Sequence, residues 1–447
     1  MRSVELHQMN RGECVVLRGV EKNILMVDCG EPACGVSGLM KRYAAVTARG
    51  LLLTHWHEDG LLALDRILRV NPDYFHRIYL PASPCDKRGR PLMLEFALFA
   101  HVFQEEREGV FDLNTAVLRL FPVLSGKVGA GRITALQADR SFRFDGVEYD
   151  VLWPAEKAFP FTDLFSSAVE NMNVCLSSPF LPGAAQEFLK LKEEFCAAYT
   201  ACCRTLPMEQ TSVDRMTEFY NRIEKMIPRL RALPPAQDIK EILGRPTTQA
   251  AYAFECRAAS VIFHNRRKSE ASTDDILMTG AAEPESMDAV SSRLYGGYYI
   301  LKAPRHGAAG AWSHIFGEIS AAHILIIHGN NREQEEIAGE YIDLPGIRHC
   351  TDSTGCPWLQ SSGCSCNRMS CCYDLPRPGL TIKCLFCQGP EAVAPSATEG
   401  VSKHNLPERI AVGACRPHGP ACKILVISST GARSCLCDGK PANINWM

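Results

Sequence analysis

The stretch LLLTHWHEDG, residues 51–60, decides how this chain is read. Leu51, Leu52 and Leu53 are an apolar run suited to a buried strand, and they lead into Thr54 and a short turn. His55, His57 and Asp59 then fall on alternate positions, before an amphipathic helix expected from about Leu61. In an extended or turning backbone, alternate side chains lie on one side, so two imidazoles and a carboxylate can face one point. Those groups are the usual ligands of zinc, manganese or iron.

Working outward, Cys14–Leu17, Asn23–Val27 and Arg77–Pro81 are further short strand candidates, and Leu61, Leu64, Ile67 and Leu68 repeat at helical spacing. Phe142, Phe144, Val147, Tyr149 and Val151 alternate around Asp145–Gly146, the pattern of a hairpin. Four more strand candidates follow at Ser260–Phe263, Ile276–Thr279, Tyr298–Leu301 and His323–Ile327, with one helix near Ser286–Tyr295.

Two stretches differ in texture. Between residues 161 and 244, Phe188 to Tyr199 and Val213 to Ile227 carry apolar residues at a 3.6-residue period with charges opposite. This predicts a helical insertion that acts as a lid, offers a surface to a protein partner, or simply covers core. After residue 346, 12 of the 21 cysteines fall among Gly, Pro and Ser, in a segment too poor in apolar residues to fold on a core of its own. A single CxxC, Cys384 and Cys387, makes zinc the expected ligand of this tail.

The metal motif resembles that of metallo-β-lactamase-fold hydrolases, which reads His-x-His-x-Asp-His after a buried strand. MNRGECVVL, residues 9–17, and NILMVDCG, residues 23–30, are similar to that family's opening strands and Asp-x-Gly turn. DILMTGAAE, residues 275–283, and YYILKAPRHGA, residues 298–308, are similar to its second half. They are nearest the nuclease-like domain of bacterial DNA-uptake proteins, where the equivalents read Leu-x-Thr-Gly-Asp and Lys-x-Pro-His-His-Gly. The resemblance implies an α/β fold of four αββα layers. Its core would take residues 1–160 and 245–345, followed by the tail of residues 346–447.

It also implies metal ligation by His55, His57, Asp59 and His306, with Asp59 orienting a water and Arg305 stabilising an anionic transition state. The expected substrate is a phosphodiester, as nucleic acid or nucleotide. Three departures stand against a two-metal centre: Gly60 replaces the final imidazole, Ala281 replaces the bridging acid, and Cys256–Arg257 precede Ser260 where His or Asn is common. Glu283 would reach the bridging position only with a shifted backbone, and Cys256 is a further candidate ligand. The expectation is therefore at most a single-metal hydrolase, against a catalytically lapsed member that binds partners through its insertion or tail.

Composition narrows the classes further. A formal net charge of −2 gives no global attraction to nucleic acid or an anionic membrane. The opening residues lack an apolar signal core and no apolar run approaches the ~20 residues that span a bilayer, so a cytoplasmic protein without membrane association is expected.

Overall fold

The computed structural model describes residues 3–7, 9–19, 21, 23–32, 35–104, 113–267, 275–327 and 337–344, with the backbone strands 347–350, 381–384, 424–428, 432–437 and 440–445. It is a mixed α/β structure built on two mixed sheets. In chain order the first strands are β1 (Ser3–His7), β2 (Met9–Arg11), β3 (Val15–Arg18), β4 (Ile24–Val27), β5 (Glu31–Pro32), β6 (Arg49–Leu52), β7 (Arg77–Pro81) and β8 (Ile133–Leu136). Then come β9 (Ser141–Phe144), β10 (Val147–Trp153), β11 (Ile262–Asn265), β12 (Ile276–Met278), β13 (Gly297–Lys302), β14 (Ser320–Ile326) and β15 (Ile347–Cys350). Strands β16 (Thr381–Cys384) and β17 (Ile424–Ser428) join the β1 edge of the first sheet, whose order continues β1-β3-β4-β6-β7-β8. The second sheet runs β15-β14-β13-β12-β11-β10-β9.

Each sheet is antiparallel at one end and parallel at the other: β4, β6, β7 and β8 are parallel, as are β12, β13, β14 and β15. Strands covered on both faces need apolar side chains on both, and the sequence supplies them. Leu25, Val27 and Leu52 join Phe263, Met278, Ile300 and Leu325 in one buried cluster drawn from both sheets. Their neighbours Met26, Leu51, Ile262, Leu277 and Leu301 turn the other way, into a cluster shared with the helices. Alternation along each strand thus sends successive residues to opposite faces.

The β9–β10 hairpin turns at Asp145 (φ 51°) and Gly146 (φ 72°), the two left-handed residues of a type I′ turn. Asp145 does a second job there. Its carboxylate accepts the backbone N–H groups of Gly19, Glu21 and Asn23, tying the hairpin to the β3–β4 turn of the other sheet.

The helical region is larger than the two expected helices. Besides Gly183–Arg204 and Gln210–Arg231, helices span Asp163–Leu176, Ala236–Gly244 and Pro246–Ala258. Asp163–Leu176 buries Phe165, Ala168, Val169, Met172 and Leu176, and Ala236–Gly244 buries Ala236, Ile239, Ile242 and Leu243, so both follow the same helical spacing as the two longer helices. The centre of this region is the helix Leu92–Phe103, all of whose residues are buried. Its two polar side chains are fully engaged. Glu95 meets Arg90 and Lys192, and His101 lies between Thr115, Tyr220 and Glu224. The helices from residues 161–244 therefore pack around this one, and none of them is among the residues that line the cleft described below. Residues 161–244 also expose apolar side chains, above all Phe180, in the turn between Asp163–Leu176 and Gly183–Arg204, at 95% exposure. Among the described residues no helix is long and apolar enough to cross a membrane.

Candidate functional site

The loops that follow β4, β6, β12 and β13 meet at one end of the two sheets and enclose a cleft of about 240 Å³. Its lining includes Glu13, Asp28, His55, His57, Asp59, Arg257, Arg305 and His306. The four residues expected from the motif and its counterpart are thus brought to one cleft, together with Arg305.

Their arrangement differs from the expected one at Asp59. The helix starts at Glu58, three residues before Leu61, so Asp59 lies in a first helical turn and not on the alternating side of an extended chain. Its Oδ2 sits 3.4 Å from His57 Nδ1, and its N–H is 3.4 Å from the same nitrogen. The first contact needs a proton on that nitrogen and the second needs a lone pair. Both are long, so neither fixes the ring of His57, which is half exposed.

His55 is held more firmly. Its Nδ1 is 2.9 Å from Thr54 Oγ1, and Thr54 in turn gives its N–H to Asp28 Oδ1 at 2.8 Å and its hydroxyl to Asp28 Oδ2 at 2.7 Å. Burial, then the neighbouring His57, Lys302, His306 and Arg257, hold the imidazole of His55 neutral well below the usual range. Burial, with the carboxylate of Glu13 adding to it against the hydrogen bonds from Thr54, pushes Asp28 up to about 7. Gly280 makes this packing feasible: at φ 57° it presses against Thr54, and a Cβ there would lie 2.9 Å from the threonine Cβ and Oγ1.

On the facing loop, Arg305 (φ 45°) and His306 (φ 60°) are consecutive non-glycine residues in the left-handed region. Strain of this kind persists only where surroundings fix it, and it gathers at working sites. Here Glu13 fixes it. Its carboxylate accepts the N–H of His306 at 3.1 Å and pairs with the buried ammonium of Lys302, which also donates to the carbonyl of Gly280 at 2.7 Å. His306 Nδ1 lies 2.8 Å from the carbonyl oxygen of Ile327. Beside this loop, the buried carboxylate of Glu283 accepts from Arg257 Nε and, at 3.4 Å, from Arg305. Glu283 is therefore spent on two guanidiniums and does not take the bridging position.

Glu13 and Lys302 were not singled out by sequence, whereas Asp28 was noted only as the Asp of an Asp-x-Gly turn and Glu283 only as a bridging ligand that would need a shifted backbone. The available signal was a lysine closing the apolar run YYIL of β13.

The donors do not fit a two-ion centre. No carboxylate stands at Ala281, and Gly60 leaves its place empty although a Cβ there would meet only Leu53, at 3.5 Å. Among the described residues no three His, Cys, Asp or Glu side chains converge as a metal-binding group. Cys256 does not line the cleft. Its thiol is buried and pushed up to about 12, foremost by that burial. Of the tail candidates, Cys384 ends β16 and Cys387 lies outside the described residues. What the cleft offers is three imidazoles, of His55, His57 and His306, beside two guanidiniums that share one carboxylate and next to the Lys302–Glu13 pair. No protein-family model matches the chain, and no curated protein matches it.

Proposed function

We propose that this chain has a four-layer αββα fold like that of the metallo-β-lactamases, and that its cleft binds a phosphate-bearing ligand, a nucleotide or nucleic-acid phosphodiester, without a two-metal hydrolytic centre. The arrangement of Arg257 and Arg305 carries this reading: both guanidiniums line the cleft and are held in place by the one buried carboxylate of Glu283. Guanidiniums suit phosphate oxygens in both geometry and charge. The resemblance of the LLLTHWHEDG and YYILKAPRHGA stretches to a phosphodiester-cleaving branch supports the same ligand class.

The test is titration calorimetry of the full chain with a nucleoside monophosphate and with a dinucleotide. Alongside it, elemental mass spectrometry would be run on the wild type and on the His55→Ala/His57→Ala variant, and cleavage of a chromogenic phosphodiester assayed with added zinc or manganese. Binding without turnover, and metal content unchanged by the double substitution, is the expected result. Close to one equivalent of metal lost in the double variant, together with metal-dependent cleavage, would replace this reading by a single-metal phosphodiesterase in which His55, His57 and His306 hold the ion.

A second reading, docking of a partner protein through residues 161–244, rests on the sequence pattern, and Phe180, Val174, Leu164 and Leu206 are exposed apolar side chains there. The occupant to test first is a second copy of the chain. Sedimentation of the wild type and of Phe180→Ser across a concentration series would show association in the first and its loss in the second; a monomer throughout removes self-docking.

A further inference from the structure

We propose that Asp28 and Thr54 are a positioning pair that fixes the tautomer of His55, so that the nitrogen presented to the cleft carries a lone pair and serves as an acceptor or base.

The inference follows from counting protons. A threonine hydroxyl has one proton to give and can accept in addition. Thr54 Oγ1 lies 2.7 Å from Asp28 Oδ2 and 2.9 Å from His55 Nδ1. When Asp28 is ionised its oxygens can only accept, so the hydroxyl proton goes to Oδ2. Thr54 Oγ1 must then accept from His55, and Nδ1 carries the ring proton. In a neutral imidazole this leaves Nε2 without one. The register of the pair is fixed from the other side by the Thr54 N–H, 2.8 Å from Asp28 Oδ1, and Thr54 is wholly buried.

His306 Nδ1 lies 2.8 Å from the Ile327 carbonyl oxygen and 3.3 Å from Glu13 Oε1, which only accept, so this nitrogen carries a proton as well. Both rings thus turn a protonated Nδ1 toward the protein, in a cleft that Arg257 and Arg305 also line. This deepens the reading of the cleft as a phosphate-ligand site and rests on it: beside its phosphate, the ligand has to bring a donor, such as a sugar hydroxyl or a bound water.

The experiment is long-range proton–nitrogen NMR on the full chain with isotope-labelled histidine, in buffer alkaline enough to ionise Asp28, with the His55 signals assigned by His55→Gln. Wild type should show Nδ1 protonated and Nε2 bare. In Asp28→Asn, the Thr54 N–H still requires an acceptor at Oδ1, so the side-chain amide donates to Thr54 Oγ1. The hydroxyl must then donate to His55, and the ring proton should move to Nε2. Thr54→Ser should keep the wild-type pattern, whereas Thr54→Val should lose it.

A wild-type ring protonated at Nε2, or an unchanged pattern in Asp28→Asn, overturns the proposal. If Asp28→Asn does not fold, the contrast between Thr54→Ser and Thr54→Val decides by itself, and identical patterns in those two variants also overturn it. The readout needs no ligand. A wrong tautomer with intact nucleotide binding would remove only this pair's role, and the right tautomer without binding would remove only the proposed ligand.

Discussion

The ammonium of Lys302 and the carboxylate of Glu13 meet at the floor of the cleft, 3% and 5% exposed, and join the loop before β3 to the end of β13. A buried pair of this kind adds little net stability, but losing one partner strands the other charge. Lys302→Met and Glu13→Gln are each expected to cost about 3–5 kcal/mol, and the double variant clearly less than the sum. Urea unfolding of the three variants measures this. Strictly additive losses would mean that the two groups do not act as a pair.

Asp28 gives stability a pH dependence of unusual sign. Because burial raises it to about 7 in the folded chain, the native state holds this proton more tightly than the unfolded state does. The contribution is complete below the ordinary carboxylate range, near pH ~4, and fades as pH climbs through about 7. The urea midpoint of the wild type should therefore fall across that window relative to Asp28→Asn, and the two curves should run parallel above it. Parallel curves throughout would show an ordinary carboxylate.

Arg257 and Arg305 should contribute to ligand binding through charge-assisted hydrogen bonds, worth about 1.5–3 kcal/mol each. Arg257→Gln and Arg305→Gln are each expected to weaken nucleotide binding roughly ten- to hundredfold, with thermal stability less affected. Calorimetry on both variants is the check. Wild-type affinity in both would leave the two guanidiniums without a role in binding.

Gly280→Ala should be more harmful than its size suggests. The substitution places a methyl 2.9 Å from Thr54 in a backbone at φ 57° that alanine adopts only with strain, for an expected loss of about 1–3 kcal/mol. Gly60→Ala is the matched control, since its Cβ finds only Leu53 at 3.5 Å, and helix propensity there favours alanine. Equal unfolding midpoints for the two variants would count against the close approach.

The strands were legible because burial on both faces forces long apolar runs, as in Leu51–Leu53, and the hairpin because Asp145–Gly146 has the residues a type I′ turn demands. The helix Leu92–Phe103 is apolar all round, and such a segment says only that something covers it, not what. The cleft was half legible. His55, His57, Asp59, Arg305 and His306 come together, whereas the residues that hold them do not lie in any local pattern. Glu13 and His306 are 293 positions apart, and the sign of a charge alone cannot indicate such a partner. Where the helix begins also mattered: three residues separate a turning backbone from a helical one at Asp59, and with it the direction of a carboxylate.

The burial of Leu92–Phe103 on all sides bears on how the chain can be taken apart. A segment that merely decorates a scaffold can be excised, transplanted, or clipped by a protease without harm to what remains. Here residues 161–244 supply the wall around a helix that the preceding part of the chain contributes, so neither is complete by itself. Cutting the segment out would leave Phe96, Phe99 and Phe103 facing water, and the shortened chain would aggregate where an ornamental loop would hardly be missed. Over evolutionary time the same bond means that the two stretches can change only in step.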